Sequence, residues 1–147
     1  MAYPLISKAK VFRSFRTNLA IFIPHLISTL SLCPCLYETS ESTNHSIPII
    51  PLLFNWLHLM SSSPLRPIRH TSTYLSLKLN SALCDVAAGV SKDLSLKQRQ
   101  REAEARKGAT GAAAHKRLKE AEAKVKDAHE KKTRLEEYMQ ETFDVWV

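Results

Sequence analysis

Residues 71–107 read TSTYLSLKLNSALCDVAAGVSKDLSLKQRQREAEARK, and this stretch decides the fold. Its apolar residues, Leu75, Leu79, Ala82, Leu83, Val86, Ala87, Val90 and Leu94, recur at helical spacing and hold one face. Lys78, Ser81 and Asp85 lie off that stripe, so the face is amphipathic rather than lipid-embedded. Beyond Leu96 the large apolar residues stop, while good helix formers continue through Gln98, Glu102 and Ala105. The pattern predicts one long helix, buried in its first half and solvated in its second. Pro64 and Pro67 stand ahead of Thr71, Ser72 and Thr73, a cluster able to cap a helix, which places the start near 71. Gly108 after Arg106 and Lys107 marks the stop, since cations suit the negative end of the helix dipole and glycine tolerates the left-handed conformation.

A turn over Gly108 to Gly111 leads into a second predicted helix, from about Ala112 to Phe143. Leu118, Ala121, Val125, Ala128, Leu135 and Met139 form a heptad seam, with Lys132 at its one broken position. Acid-before-base pairs four apart support the outer faces: Glu120 with Lys124, Glu122 with Lys126, Asp127 with Lys131, Glu130 with Arg134. So short a turn forces the two helices antiparallel, each on the order of 50 Å long at ~1.5 Å per residue. The fold class is all-α: a long, coiled-coil-like antiparallel hairpin, preceded by a poorly ordered or partly helical N-terminal segment.

Charge divides the chain in the same place. Residues 1–67 carry 5 basic and 2 acidic side chains, and residues 68–147 carry 16 and 12, within a net charge of +7. We therefore expect a segment over 1–63 and a hairpin over 64–147. The three glycines leave little for a phosphate-cradling loop, and the three cysteines form no metal-ligand spacing or even disulfide framework. Cys33-Pro34-Cys35 has one residue between its thiols, where zinc and dithiol motifs usually have two, and the six histidines share no motif. No Ser/His/Asp, Cys/His or paired-carboxylate set accompanies a pocket-forming fold. The sequence predicts no enzyme, no metal and no cofactor.

The N-terminal segment raises a membrane question. Lys8, Lys10, Arg13 and Arg16 precede an uncharged run from Thr17 to Tyr37, which at 21 residues is long enough to span a bilayer. Pro24, His25, Ser28, Thr29, Ser31 and Pro34 interrupt it. The basic start also has the character of a secretory signal or organellar presequence, though no clean cleavage site follows. A second apolar stretch, Ile47 to Met60, contains Pro48 and Pro51, and the missing sustained period predicts low order over 38–63.

Certain residues, in this order and spacing, resemble a known family. They are Arg69-His-Thr-Ser-Thr73, Leu79 with Ala82-Leu-Cys-Asp-Val-Ala-Ala88, Gln98-Arg-Gln-Arg-Glu-Ala-Glu104, Lys131-Lys-Thr-Arg-Leu-Glu-Glu137 and Phe143-Asp144. Together they resemble, over about residues 64–147, a fungal version of the STAG domain of the stromal-antigen family, the large HEAT-repeat subunits of cohesin. Family members continue past the Phe-Asp with a Gly-Val-Phe-Val-His-Arg-Tyr-Arg-Asp-like signature and many helical repeats, whereas this chain reads Phe143-Asp144-Val145-Trp146-Val147. The departure implies a truncated member without the repeats that hold the kleisin subunit, and residues 1–63 show no counterpart by this reading.

The resemblance implies a non-enzymatic role in sister chromatid cohesion and chromatin binding in the nucleus, with cohesin subunits and the DNA backbone as partners. The alternative is a membrane-anchored coiled-coil interaction protein held by residues 17–37. For DNA-backbone contact the candidates are Lys97, Arg99, Arg101, Arg106, Lys107, Lys116, Arg117 and Lys119, which flank one turn. Six basic against three acidic residues occupy 92–107, and eight against four occupy 116–134. Interleaved acids make a solvated helix surface the plainer reading, and charge of this kind would position a backbone without reading bases.

Overall fold

The structure, a computed structural model, describes residues 3–33, 36–37, 49–107 and 112–146. Among these lie four helices, α1 Phe15–Ser31, α2 Ile49–Ser61, α3 Arg66–Arg106 and α4 Ala112–Trp146, with a short 3₁₀ turn at Lys10–Phe12 and no strand. The all-α fold follows from the two periodic stretches. The chain divides into two units, residues 1–86 with 138–147, and residues 87–137.

α3 begins at Arg66, five residues ahead of the expected start. Pro67 is its second residue, where the missing N–H would have found no intrahelical partner anyway. The helix therefore begins around the proline rather than after it. Thr71, Ser72 and Thr73 consequently lie inside the helix, and the hydroxyls of Ser72 and Thr73 turn back on it instead of capping. Ser72 Oγ donates to the carbonyls of Ile68 and Arg69 at 2.9 and 3.0 Å, and Thr73 Oγ1 donates to Arg69 at 2.9 Å.

In the first unit the predicted stripe is buried at Leu79, Ala82 and Leu83, and Ser72 and Ser76 extend it toward the helix start. Its self-satisfied hydroxyl lets Ser72 occupy apolar surroundings at little cost. α1 buries Ile23 and Ile27 and exposes Ile21 and Phe22 on its other side. Helix persists through Pro24, which forfeits one backbone donor. Tyr3 bonds Nδ1 of His70, their rings edge-on with centroids 5.8 Å apart, and the Arg16 guanidinium stands 5.6 Å from the centre of the Tyr74 ring. The N-terminal residues are thereby fixed to α3.

Low order was expected over 38–63, but 49–61 forms α2; residues 38–48 of that expectation lie outside the described residues. Pro51 is again in the first turn, so the run beyond it is free to be helical. Ile50 and Leu57 are buried, whereas Leu52, Trp56 and Leu59 are exposed. No helix among the described residues is long and apolar enough to cross a membrane. α1 covers only part of the 17–37 run, and its most apolar face is already packed in protein.

In the second unit α3 and α4 run antiparallel: Lys97, Gln100 and Glu104 ascend one wall of a groove whose other wall is Lys124, Ala121, Glu120 and Arg117 in descending order. Leu94, Ala128 and Leu135 are buried, while Leu118, Ala121 and Val125 are half-buried, as expected for a seam of small side chains. Lys132, the break in the heptad pattern, is half-buried with Nζ 3.5 Å from Glu136. The turn expected at 108–111 lies outside the described residues. Of the four predicted charge pairs, Asp127 with Lys131 forms at 2.8 Å. Lys126 instead meets Glu130 at 3.7 Å and Arg134 meets Glu137 at 2.7 Å, because exposed side chains choose among neighbours of nearly equal energy.

Leu83→Ala is expected to destabilise the fold by about 2–5 kcal/mol through lost burial and the cavity left behind. Trp56→Ala, on the exposed side of α2, should change stability by no more than about 0.5 kcal/mol. Urea denaturation followed by circular dichroism separates the two.

Candidate nucleic-acid interface

All eight candidate residues fall in the second unit, on the C-terminal part of α3 and the N-terminal part of α4. Lys97 and Arg117 come together on the groove between the helices, a space of about 240 Å³. The other six do not line it. At roughly 100° per residue, Arg99 and Arg106 share one face of α3, on the side away from Lys97 and Glu104, and Lys119 similarly stands on the far side of α4 from Arg117 and Lys124. Arg101 is half-buried, and Arg99, Arg106, Lys107, Lys116, Arg117 and Lys119 are exposed. The eight thus distribute around the two helices rather than forming one strip.

Acids engage two of them. Lys97 Nζ is 2.7 Å from Asp93, and Lys107 Nζ is 2.6 Å from Glu104. Arg99, Arg101, Arg106, Lys116, Arg117 and Lys119 make no ion pair among the described residues. The hydrogen bond from Lys107 holds the Glu104 carboxyl below its usual range, aided by the charges of Lys107 and Arg117. Groove-lining cations Lys97, Arg117 and Lys124 face carboxylates Glu104 and Glu120, so the local potential is only slightly positive. Such a balance of charge does not favour an anion buried in the groove.

Lys124 and Gln100 belong to the groove and were not among the candidates. The signal for them was partly available: Lys97 lies 11 residues before Gly108 and Lys124 lies 13 after Gly111, so antiparallel pairing about the predicted turn brings the two positions to within one helical turn of each other. No group of three or more His, Cys, Asp or Glu side chains among the described residues could hold a metal. Cys33 and Cys84 are exposed free thiols, Cys84 Sγ lying 3.4 Å from Met139 Sδ, and Cys35 lies outside the described residues.

Comparison with known proteins places this helical architecture. The family model of the STAG domain matches residues 1–141. The chain belongs to the STAG-domain family. It is 32% identical over 102 residues to cohesin subunit psc3 of Schizosaccharomyces pombe, covering 69% of this chain and 10% of that protein. Human cohesin subunit SA-3 is 32% identical over 141 residues, 96% of this chain and 11% of the relative. Cohesin subunit SA-1 of Xenopus laevis gives the same identity over 141 residues, 96% and 10%. The chain spans about a tenth of the length of the curated relatives it matches.

The match extends the resemblance, read from residue 64 onward, back to residue 1. Residues 1–63 therefore lie within the STAG-domain match, correcting the reading that they have no counterpart. Of the residues on which the resemblance was read, Arg69 to Thr73 sit near the start of α3 and Gln98 to Glu104 in its solvated half.

The titration of Glu104 checks the local electrostatics. Its carboxyl should titrate below the ordinary 4.5, with Lys107→Ala raising the midpoint more than Arg117→Ala. Because the folded value is depressed, the contact's contribution is present above the unfolded pKa and is lost as pH falls through the folded one. Carboxyl-carbon NMR of the three proteins across the acid range measures both the midpoint and the order of the two effects.

Proposed function

We propose that this chain supplies the STAG-domain module of a cohesin-type assembly in the nucleus. It acts there without catalysis, in sister chromatid cohesion, through contacts with cohesin subunits and with chromatin. The family match over residues 1–141 carries this reading. The helical architecture supports it, since long exposed helix faces offer contact surface rather than a substrate cavity.

The DNA part of the proposal rests on Arg99, Arg101 and Arg106 of α3 and on Lys116, Arg117 and Lys119 of α4, with Lys97 and Lys107 contributing when their acidic neighbours release them. Charge on several sides of two adjacent helices attracts a phosphate backbone without fixing a register, so binding is sequence-independent and weak. A dissociation constant on the order of 10⁻⁴ to 10⁻⁶ M at physiological salt is expected, weakening steeply as salt rises. Replacing Arg99, Arg101, Arg106 and Lys107 together by Ala should reduce affinity equally for unrelated duplexes and flatten the salt dependence. Fluorescence anisotropy with two duplexes of different sequence tests this; salt-independent or unchanged binding would reduce these residues to a solvating role. For the assembly itself, the tagged full chain should localise to the nucleus and co-purify with cohesin subunits. A full chain that is excluded from the nucleus, or that recovers no cohesin subunit, would count against the reading.

A further inference from the structure

The link between α2 and α3 reads Ser61-Ser62-Ser63-Pro64-Leu65-Arg66. Of the seven prolines, Pro64 alone follows a serine or threonine, and a cation, Arg66, stands three positions after that serine. A serine followed by proline with a cation at the third position is the pattern that one large class of proline-directed kinases selects. Proline at the following position has no N–H to satisfy, and the cation meets acidic groups on the kinase.

The following proline singles out Ser63 from Ser61 and Ser62, and three structural observations support it as the acceptor. Ser63 lies outside any helix and is half-buried, and the Pro64, Leu65 and Arg66 that follow it are exposed. Among the described residues its hydroxyl oxygen accepts the N–H of Leu65, at 3.2 Å, a contact a phosphate oxygen can take over. Arg69 Nη1 already donates to the Ser63 carbonyl at 3.1 Å, which puts a guanidinium beside the acceptor. Ser72 has an arginine three residues before it and so suits a different, basophilic kinase, but it is only 1% exposed and both its acceptors are inside its own helix.

We propose that Ser63 is a phosphorylation site for a proline-directed kinase and that the phosphate, once attached, is held by Arg69. ATP supplies the phosphoryl group. The Ser63 Oγ–phosphorus bond forms as the bond from the γ-phosphorus to the bridging oxygen breaks, ADP leaves with that electron pair, and the hydroxyl proton passes to a base on the kinase. The phosphoserine carries about −1.5 to −2 charge at neutral pH and stands at the start of α3, whose first turn holds no acidic residue. It complements the positive end of that helix and pairs with Arg69. Modification thus strengthens the start of the helix whose stripe forms the core of the first unit.

The test uses the full chain, ATP and a cyclin-dependent kinase, with the phosphate counted by intact mass and located by peptide sequencing. One phosphate on Ser63 is expected, absent in Ser63→Ala, with the rate falling roughly tenfold in Arg66→Ala, as for the loss of one charge-assisted contact. Circular dichroism of each variant confirms that helix content is kept. Phosphate on another residue, or none on a folded chain, overturns the site. The phosphorylated chain should melt about 2–4 °C above the unmodified one. That rise should vanish in Arg69→Ala, and a rise that survives there overturns the role given to Arg69.

Discussion

Burial of one stripe along α3 is the constraint on which the first unit depends. Leu79, Ala82 and Leu83 are all but fully covered, and the stripe continues through Ser76 and Ser72 to the helix start. A helix of this length gains little from backbone propensity alone, because its mean composition is polar and its solvated half buries almost nothing. Its stability comes from the apolar face in residues 72–86. Small side chains at Ser72, Ser76 and Ala82 admit neighbouring groups close to the helix axis, while Leu79 and Leu83 supply most of the area removed from water. Tyr3 and Arg16, held at His70 and Tyr74, connect the N-terminal residues to the same element.

The two long helices were legible because each repeats an apolar position often enough for period to outweigh composition. Leu75 to Leu94 and Leu118 to Met139 give the faces, and structure and sequence agree to within a few residues on where the helices end. The start of α3 was misplaced for a definable reason. Hydroxyl residues favour caps and prolines favour termini, yet Pro67 satisfies its preference from inside the first turn, and Ser72 and Thr73 satisfy theirs by bonding backward. The same physics made Pro51 compatible with α2. Position relative to the first turn decides what a proline does, and a sequence does not print that position until the helix is known.

The candidate site was legible as composition but not as geometry. Counting cations around residues 97–119 identifies a basic region. It does not say that Lys97 and Arg117 share a groove while Arg99 and Arg106 face elsewhere, because that depends on the register between α3 and α4. Antiparallel pairing of positions about the predicted turn brings Gln100 and Lys124 near the groove without fixing its register. Ion-pair partners were the least legible. Asp127 with Lys131 formed as expected, but Lys126 and Arg134 found other carboxylates, since exposed pairs differ by less than the thermal energy that rearranges them.

Interleaved charge then fixes what kind of recognition this surface supports. Every acidic side chain beside a cation in the second unit lowers the potential a phosphate meets, and Asp93 and Glu104 go further by holding Lys97 and Lys107 in place. A contact built from the remaining arginines and lysines gains mainly counterion release, which depends on the number of phosphates met and not on the bases between them. Affinity of this sort is too small to hold a chain on one site by itself. It becomes effective when another contact raises the local concentration, as happens when a module is tethered in a larger assembly. Under the proposed backbone contact, a weakly basic pair of helices in a chain that spans about a tenth of the relatives it matches would add to attachment made elsewhere rather than originate it.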